Sequence, residues 1–223
     1  MYASTNGKYT IFVDYDHAPM SPRYLDNVGT MTCWRNRYLL GDRNEYEGPE
    51  DFYLDLYERT FHRECDDWKK ARSELVQTPG FIIMPLYLFD HSGLAIQTKP
   101  FNDPWDSGLV GYVYCLPETV KREFGSLDDD AIESARKCIN AEVETYDHYL
   151  RGEVYSYDLY EGIDYLESTG GFYGFYDDAV WEMKADARSE VTALFDRLED
   201  IDDMEPDSYL LSKIREGVIK CPA

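Results

Sequence analysis

Carboxylates outnumber basic side chains two to one: 44 Asp and Glu face 22 Lys and Arg, a formal charge of −22 over 223 residues. Net charge of this size opposes compaction through self-repulsion. Helices normally mix signs, because opposite charges three or four residues apart support one another, and here most acids have no basic neighbour to take. Three explanations fit: solubility in high salt, a strongly basic partner, or imitation of a nucleic acid. Spread evenly over the roughly 10,500 Å² expected for a monomer of this length, the charge would be dilute, about one unit per 480 Å². Clustering therefore decides. The acids gather at Glu45, Glu47, Glu50 and Asp51; at Asp128, Asp129, Asp130 and Glu133; at Glu142, Glu144 and Asp147; at Asp177 and Asp178; and along a run holding Glu199, Asp200, Asp202, Asp203, Glu205 and Asp207.

Hydrophobic residues at 43% and aromatics at 15% supply a core, unlike a disordered acidic tail. Tyr, at 20 residues, suits both sheets and interfaces because it couples a large apolar ring to a polar tip. Five cysteines (Cys33, Cys65, Cys115, Cys138, Cys221) are odd in number and widely spaced, which favours reduced thiols and a cytoplasmic location. With His17, His62, His91 and His148 they form no zinc spacing. No basic and apolar leader opens the chain, and no apolar run has the length of a membrane span. An acidic surface repels phosphates, so direct nucleic-acid binding is not expected.

Alternating residues 8–15 read as a strand, and residues 30–40 as a second. Pro49, Glu50 and Asp51 open a helix with the stripe Phe52, Leu56, Tyr57, Thr60 and Phe61, which is expected to continue through residues 68–76 to the Pro79-Gly80 stop. The apolar run 81–89 reads as a strand covered on both faces, with Pro85 marking an edge or bulge. A turn at 90–93, a returning strand at 94–98, a loop at 99–107 and a strand at 108–115 follow. Residues 117–124 form a short helix. Ser126 is the expected N-cap of a long helix over 129–150, with Ile132, Ala135, Ile139, Val143 and Tyr146 at helical spacing. A strand at 154–160, its partner at 172–175, a helix over 178–198, an acidic break at 199–207 and a last helix at 208–218 complete the chain. The class is α+β, mainly antiparallel sheet flanked by helices with a helical C-terminal part. Residues 1–198 are expected to form one domain, with 199–223 its acidic connection and final helix.

Leu86-Tyr87-Leu88-Phe89-Asp90-His91-Ser92-Gly93, Pro104-Trp105-Asp106-Ser107-Gly108, Glu144-Thr145-Tyr146-Asp147-His148-Tyr149-Leu150-Arg151-Gly152 and Gly171-Phe172-Tyr173-Gly174 together resemble a group of proteins carried by phages, plasmids and integrative elements. The likeness covers a little under half of the chain. Where the group has Ser-Cys before P-W-D-S-G, Asn102-Asp103 stand here. Where it has Cys-Trp before G-F-Y-G, Thr169-Gly170 stand here. The resemblance implies an origin in mobile DNA, whose elements often encode acidic proteins that inhibit host restriction or CRISPR systems.

The motif loop residues Asp90, His91, Trp105 and Asp106 invite a hydrolase reading. Adjacent turn residues point apart, however, and no G-x-S-x-G elbow is present. Trp105 is expected to anchor its loop, with Asp106 capping backbone amides. The run from Asp200 to Asp207 lacks the Gly of a calcium loop, since Glu205 stands at that position, so no metal is expected. No P-loop or dinucleotide fingerprint implies a cofactor. The favoured expectation is a non-enzymatic inhibitor in the host cytoplasm. Its carboxylates (Asp128, Asp129, Asp130, Glu133, Glu142, Glu144, Asp147, Asp177, Asp178, Glu199, Asp200, Asp202, Asp203) would stand in for phosphates against a basic nucleic-acid-binding protein of a CRISPR or restriction complex. The alternatives are a salt-adapted acidic binding protein, with charge spread evenly, and a small hydrolase using Asp90, His91 and Asp106.

Overall fold

The computed structural model describes residues 1–34, 37–201 and 204–219. In chain order the elements are β1 (Tyr2–Thr5), β2 (Tyr9–Tyr15), β3 (Thr30–Cys33), α1 (Pro49–Phe61), α2 (Trp68–Gln77), β4 (Ile82–Asp90), β5 (Leu94–Gln97), β6 (Ser107–Cys115), α3 (Pro117–Phe124), α4 (Asp129–Arg151), β7 (Val154–Glu161), β8 (Asp164–Tyr173), α5 (Tyr176–Asp186), β9 (Glu199–Asp200) and α6 (Pro206–Arg215), with 3-10 turns at Pro22–Tyr24 and Thr192–Arg197. Two antiparallel sheets flanked by helices make the fold α+β. None of the described helices is long and apolar enough to cross a membrane.

The chain divides into two compact units. One joins Met1–Met20 to Gly152–Ala223, and the other is Ser21–Arg151.

In the first unit the sheet order is β8-β7-β2-β1-β9. One face, built from Ile11, Val13, Tyr155, Tyr157 and Leu159, packs against Ala179 and Met183 of α5 and against Val191, Leu194 and Phe195. The other face, with Ala3 and Phe12, packs against Tyr209 and Leu210 of α6. Two expectations fail here. The helix expected over 178–198 ends at Asp186, where Ala187 turns extended (φ −64°, ψ 154°) and a 3-10 turn drops Leu194 and Phe195 into the core. The acidic stretch from Glu199 is no connection: Glu199–Asp200 pairs with Tyr2 and Ala3 as an edge strand. β8 also starts eight residues earlier than expected, at Asp164, and β1 lay outside the sequence reading.

In the second unit the order is β3-β6-β4-β5. Pro85 pairs with Tyr112 next to a register shift at Leu86/Tyr87, in the part of β4 that β5 does not reach. A proline there costs no ladder bond to β5. α1 and α2 are separate helices, because His62 takes a left-handed conformation (φ 53°) and Asp67 starts α2 by accepting the Lys69 and Lys70 N–H groups. Asp128 caps α4 through the Ala131 N–H at 2.9 Å, the role expected of Ser126. The strand stops at Cys33, and residues 34 and 37–40 do not continue it; residues 35 and 36 of the expected strand lie outside the described residues.

A buried guanidinium holds this unit together. Arg23, 4% exposed, clamps both carboxylate oxygens of Asp42 at 2.9 and 2.8 Å. It also donates to the Asn27 side chain and the Gly29 carbonyl. Glu142 of α4 lies 3.8 Å from the same guanidinium and accepts the Val28 and Gly29 N–H groups at 2.6 and 2.9 Å. Gly29 is required at this crossing, since a Cβ would meet Val113 at 2.9 Å and Ile139 at 3.0 Å. Removing one partner of a buried ion network leaves uncompensated charge. Arg23→Met is therefore expected to lower unfolding stability by about 3 kcal/mol, whereas Lys137→Met, which breaks the exposed Glu133 pair, should cost less than about 0.5 kcal/mol. Urea denaturation of both variants checks this; equal losses would contradict it.

Candidate functional site

The predicted acids have different fates. Glu142 and Asp147 face inward: Asp147 accepts the Ile96 N–H at 2.6 Å and the Arg151 Nε–H at 2.7 Å, tying α4 to β5. Neither is free to mimic a phosphate, a correction to their expected role. Helical spacing could have shown this, because both flank Val143 and Tyr146 of the apolar stripe. Asp128 is occupied as the α4 cap, where the Ala131 N–H and the Ser126 side chain hold its carboxyl below the usual range. Glu133 lies 3.8 Å from Lys137. Asp129, Asp130 and Glu144 remain exposed on α4. Glu199 accepts from the Tyr209 hydroxyl at 2.7 Å and lies 3.1 Å from the Lys213 ammonium, which together lower its pKa. Asp202 and Asp203 lie outside the described residues.

Four exposed acids of the first unit lie on α5, besides Asp164, Glu190, Glu205 and Asp207 elsewhere. Ala179 and Met183 turn one side of the helix into the core. The rest of the helix surface exposes Asp177, Asp178, Trp181, Glu182 and Asp186, spread over about half of its circumference, with Trp181 70% exposed. No cationic group among the described residues pairs with these four carboxylates. Lys184, the one basic residue of α5, is taken by Asp196 at 2.5 Å. Asp178, Glu182 and Asp186 repeat every four residues, a like-charge row that destabilises a helix, and Asp186 sits at the end where the helix dipole disfavours an anion. Sequence reasoning found Asp177 and Asp178 but missed Glu182, Trp181 and Asp186; the four-residue spacing was the available signal. Asp200 lies on the same side of the sheet. It pairs with Tyr2, whose ring packs 4.6 Å from Tyr176. Burial first, then Tyr2, Asp177, Tyr155 and Asp200, push the Tyr176 hydroxyl up.

Charge is uneven between the units. The first carries 20 acids against 7 basic residues, a net −13; the larger second unit carries 24 against 15, a net −9.

The motif loop is assembled otherwise than expected. Asp103, in place of the group's cysteine, accepts the Trp105 and Asp106 N–H groups at 2.9 and 3.1 Å, which hold its pKa down. Trp105 anchors nothing and is 92% exposed. Asp106 lies 3.0 Å from His91 Nδ1 instead of capping amides, and its carbonyl accepts the Asp90 N–H. Asp90 accepts from the Tyr38 hydroxyl at 3.0 Å. The His91–Asp106 pair has the form of a base and its orienter, but the neighbouring Ser107 hydroxyl donates to the Asp103 carbonyl, and both paired side chains are well exposed (65% and 40%). Cys33, Cys65, Cys115 and Cys138 are free thiols, and burial pushes the Cys33 thiol up to about 12, where it is unreactive. Among the described residues no group of three or more His, Cys, Asp or Glu is arranged to hold a metal.

No protein-family model, no curated protein and no solved structure matches this chain.

Because the Glu199 pKa is lowered on folding, its contribution is present above the ordinary value of 4.5 and fades as pH falls through the folded value. Its side chain is half exposed, so the effect is small. Glu199→Gln is expected to cost less than about 1 kcal/mol at neutral pH and to lie closer to the parent at pH 3. Urea midpoints at the two pH values check this, and an unchanged gap at low pH would refute it.

Proposed function

We propose that the chain is a non-enzymatic inhibitor encoded by a mobile element, acting in the host cytoplasm. The exposed acidic side of α5, with Asp200 nearby, would occupy the basic nucleic-acid-binding surface of a CRISPR effector or restriction enzyme. The observation that carries this reading is the quartet Asp177, Asp178, Glu182 and Asp186 around exposed Trp181. Nine residue steps of helix span about 14 Å, so the quartet places four charges about 4.5 Å apart on average along the axis, against about 3.4 Å along one DNA strand. Carboxylates at that density can pair with Arg and Lys that otherwise hold phosphates. Trp181 supplies an apolar anchor of the kind that dominates interface energetics, in the position a base would take. The surplus of charge on the smaller unit favours this over salt adaptation, which requires an even spread. The His91–Asp106 pair at 3.0 Å favours the hydrolase as the second reading, but the engaged Ser107 hydroxyl supports it less.

Competition tests the proposal. Fluorescent DNA bound to a purified CRISPR effector or restriction enzyme should be displaced by the chain, less effectively as salt rises. Neutralising the α5 quartet (Asp177→Asn, Asp178→Asn, Glu182→Gln, Asp186→Asn) should raise the concentration needed by about tenfold or more, the scale of one lost charged pair. Displacement unchanged by the quartet, or indifferent to salt, would overturn the proposal.

A further inference from the structure

The Ser21–Arg151 unit contains a cleft of about 380 Å³ whose chemistry is opposite to that of α5. It lies between β3, the loop that follows Gly41, α1 and β6. Two guanidiniums border it, Arg43 from the loop and Arg59 from α1, and two carboxylates, Asp42 and Glu45, with Thr30 and Tyr114 beside them.

The loop is fixed in place. Gly41 takes a positive φ of 68°, and any Cβ there would meet the Met31 carbonyl oxygen at 2.5 Å. Asp42 is held by Arg23 and by the Met31 N–H at 2.8 Å. The Asn44 amide donates to the Cys33 and Asp42 carbonyls at 3.2 and 3.0 Å, and its oxygen accepts the Tyr46 N–H. Asp42, Asn44 and Tyr46 are thus partly buried while Arg43 and Glu45 are exposed.

Only part of the charge at the cleft is unspent. Asp42 is committed to Arg23, and among the described residues no carboxylate pairs with Arg43 and no cation pairs with Glu45. Arg59 has one carboxylate, Asp55, at 3.6 Å, and Asp55 also accepts the Tyr46 hydroxyl. One unpaired and one singly paired arginine thus border the same cleft. Two guanidiniums presented from different elements suit a phosphate dianion, which offers oxygens to both. A bare phosphate would feel the repulsion of Glu45, whereas a ligand with sugar hydroxyls can donate to that carboxylate.

We infer that this cleft binds a small phosphate monoester bearing a hydroxylated sugar, with the phosphate between Arg43 and Arg59 and a sugar hydroxyl on Glu45. The volume accommodates a ligand the size of a nucleoside monophosphate.

The test uses the full chain and isothermal titration calorimetry with two probes, adenosine 5′-monophosphate and ribose 5-phosphate, and with inorganic phosphate as the comparison. At least one sugar phosphate should bind saturably and more tightly than inorganic phosphate. Arg43→Gln and Arg59→Gln should each weaken it by about tenfold or more, as expected for loss of a charge-assisted bond. Glu45→Gln should narrow the preference for the sugar phosphate over inorganic phosphate. Arg43 is exposed and outside the Arg23 network, so its variant retains the fold, which a thermal melt verifies. Absence of binding by both sugar phosphates at millimolar concentration, or binding indifferent to both arginine variants, would overturn the inference.

Discussion

A carboxylate in a chain with half as many cations as anions must find a partner other than Lys or Arg, or stay in water. Much of this fold is organised by the first option, with backbone N–H groups as the partners. Asp16 takes the Gly171 and Ala18 N–H groups, Asp42 that of Met31, Asp51 those of Glu47 and Gly48, Asp103 those of Trp105 and Asp106, Glu142 those of Val28 and Gly29, and Asp147 that of Ile96. Each bond satisfies a donor that a loop or edge would otherwise leave open, and each is charge-assisted. The acids thus do work that caps and turns ordinarily share among Ser, Thr and Asn.

The basic residue with the greatest structural consequence is accordingly buried. Arg23 gathers Asp42, Asn27, Gly29 and, more distantly, Glu142, and so connects the 3-10 turn, the loop after β3 and α4 within one unit. The same loop carries Arg43 and Glu45 outward. The buried network therefore positions the cleft, and the inward acids of α4 are spent on architecture. What remains exposed includes Asp129, Asp130 and Glu144 on α4 and the four acids of α5.

Strong local signals were legible in the sequence: β2, the β4–β5 hairpin, β6, α3 and α4 follow from alternation, Pro and Gly punctuation, and helical spacing. The misreadings have one physical cause. Tertiary contacts overrode local pattern where the pattern was polar. Glu199–Asp200 reads as a break because nothing apolar marks it as a strand, yet β1 offers it an edge. The stretch after Asp186 carries no helix breaker, but Leu194 and Phe195 reach the core only if the chain leaves the helix. Glu142 and Asp147 read as surface by residue type, although their neighbours Val143 and Tyr146 placed them at the core boundary. The motif residues singled out in the sequence are largely structural: Asp147 and Arg151 brace β5, and the Tyr146 hydroxyl accepts the Gly41 N–H. Those motifs therefore report the fold of the chain more than its chemistry.

Two classes of carboxylate, one bonded to backbone and one left exposed for a partner, make opposite demands on stability. The most direct test neutralises each class separately and compares urea unfolding at low salt. Asp42→Asn, Glu142→Gln and Asp147→Asn together should destabilise the chain by at least about 3 kcal/mol, since buried donors lose charged acceptors. The α5 quartet neutralised in the same way should leave stability unchanged or raise it by about 0.5 kcal/mol, because like-charge pairs are removed. Equal losses from the two sets, or a greater loss from the α5 quartet, would contradict the division.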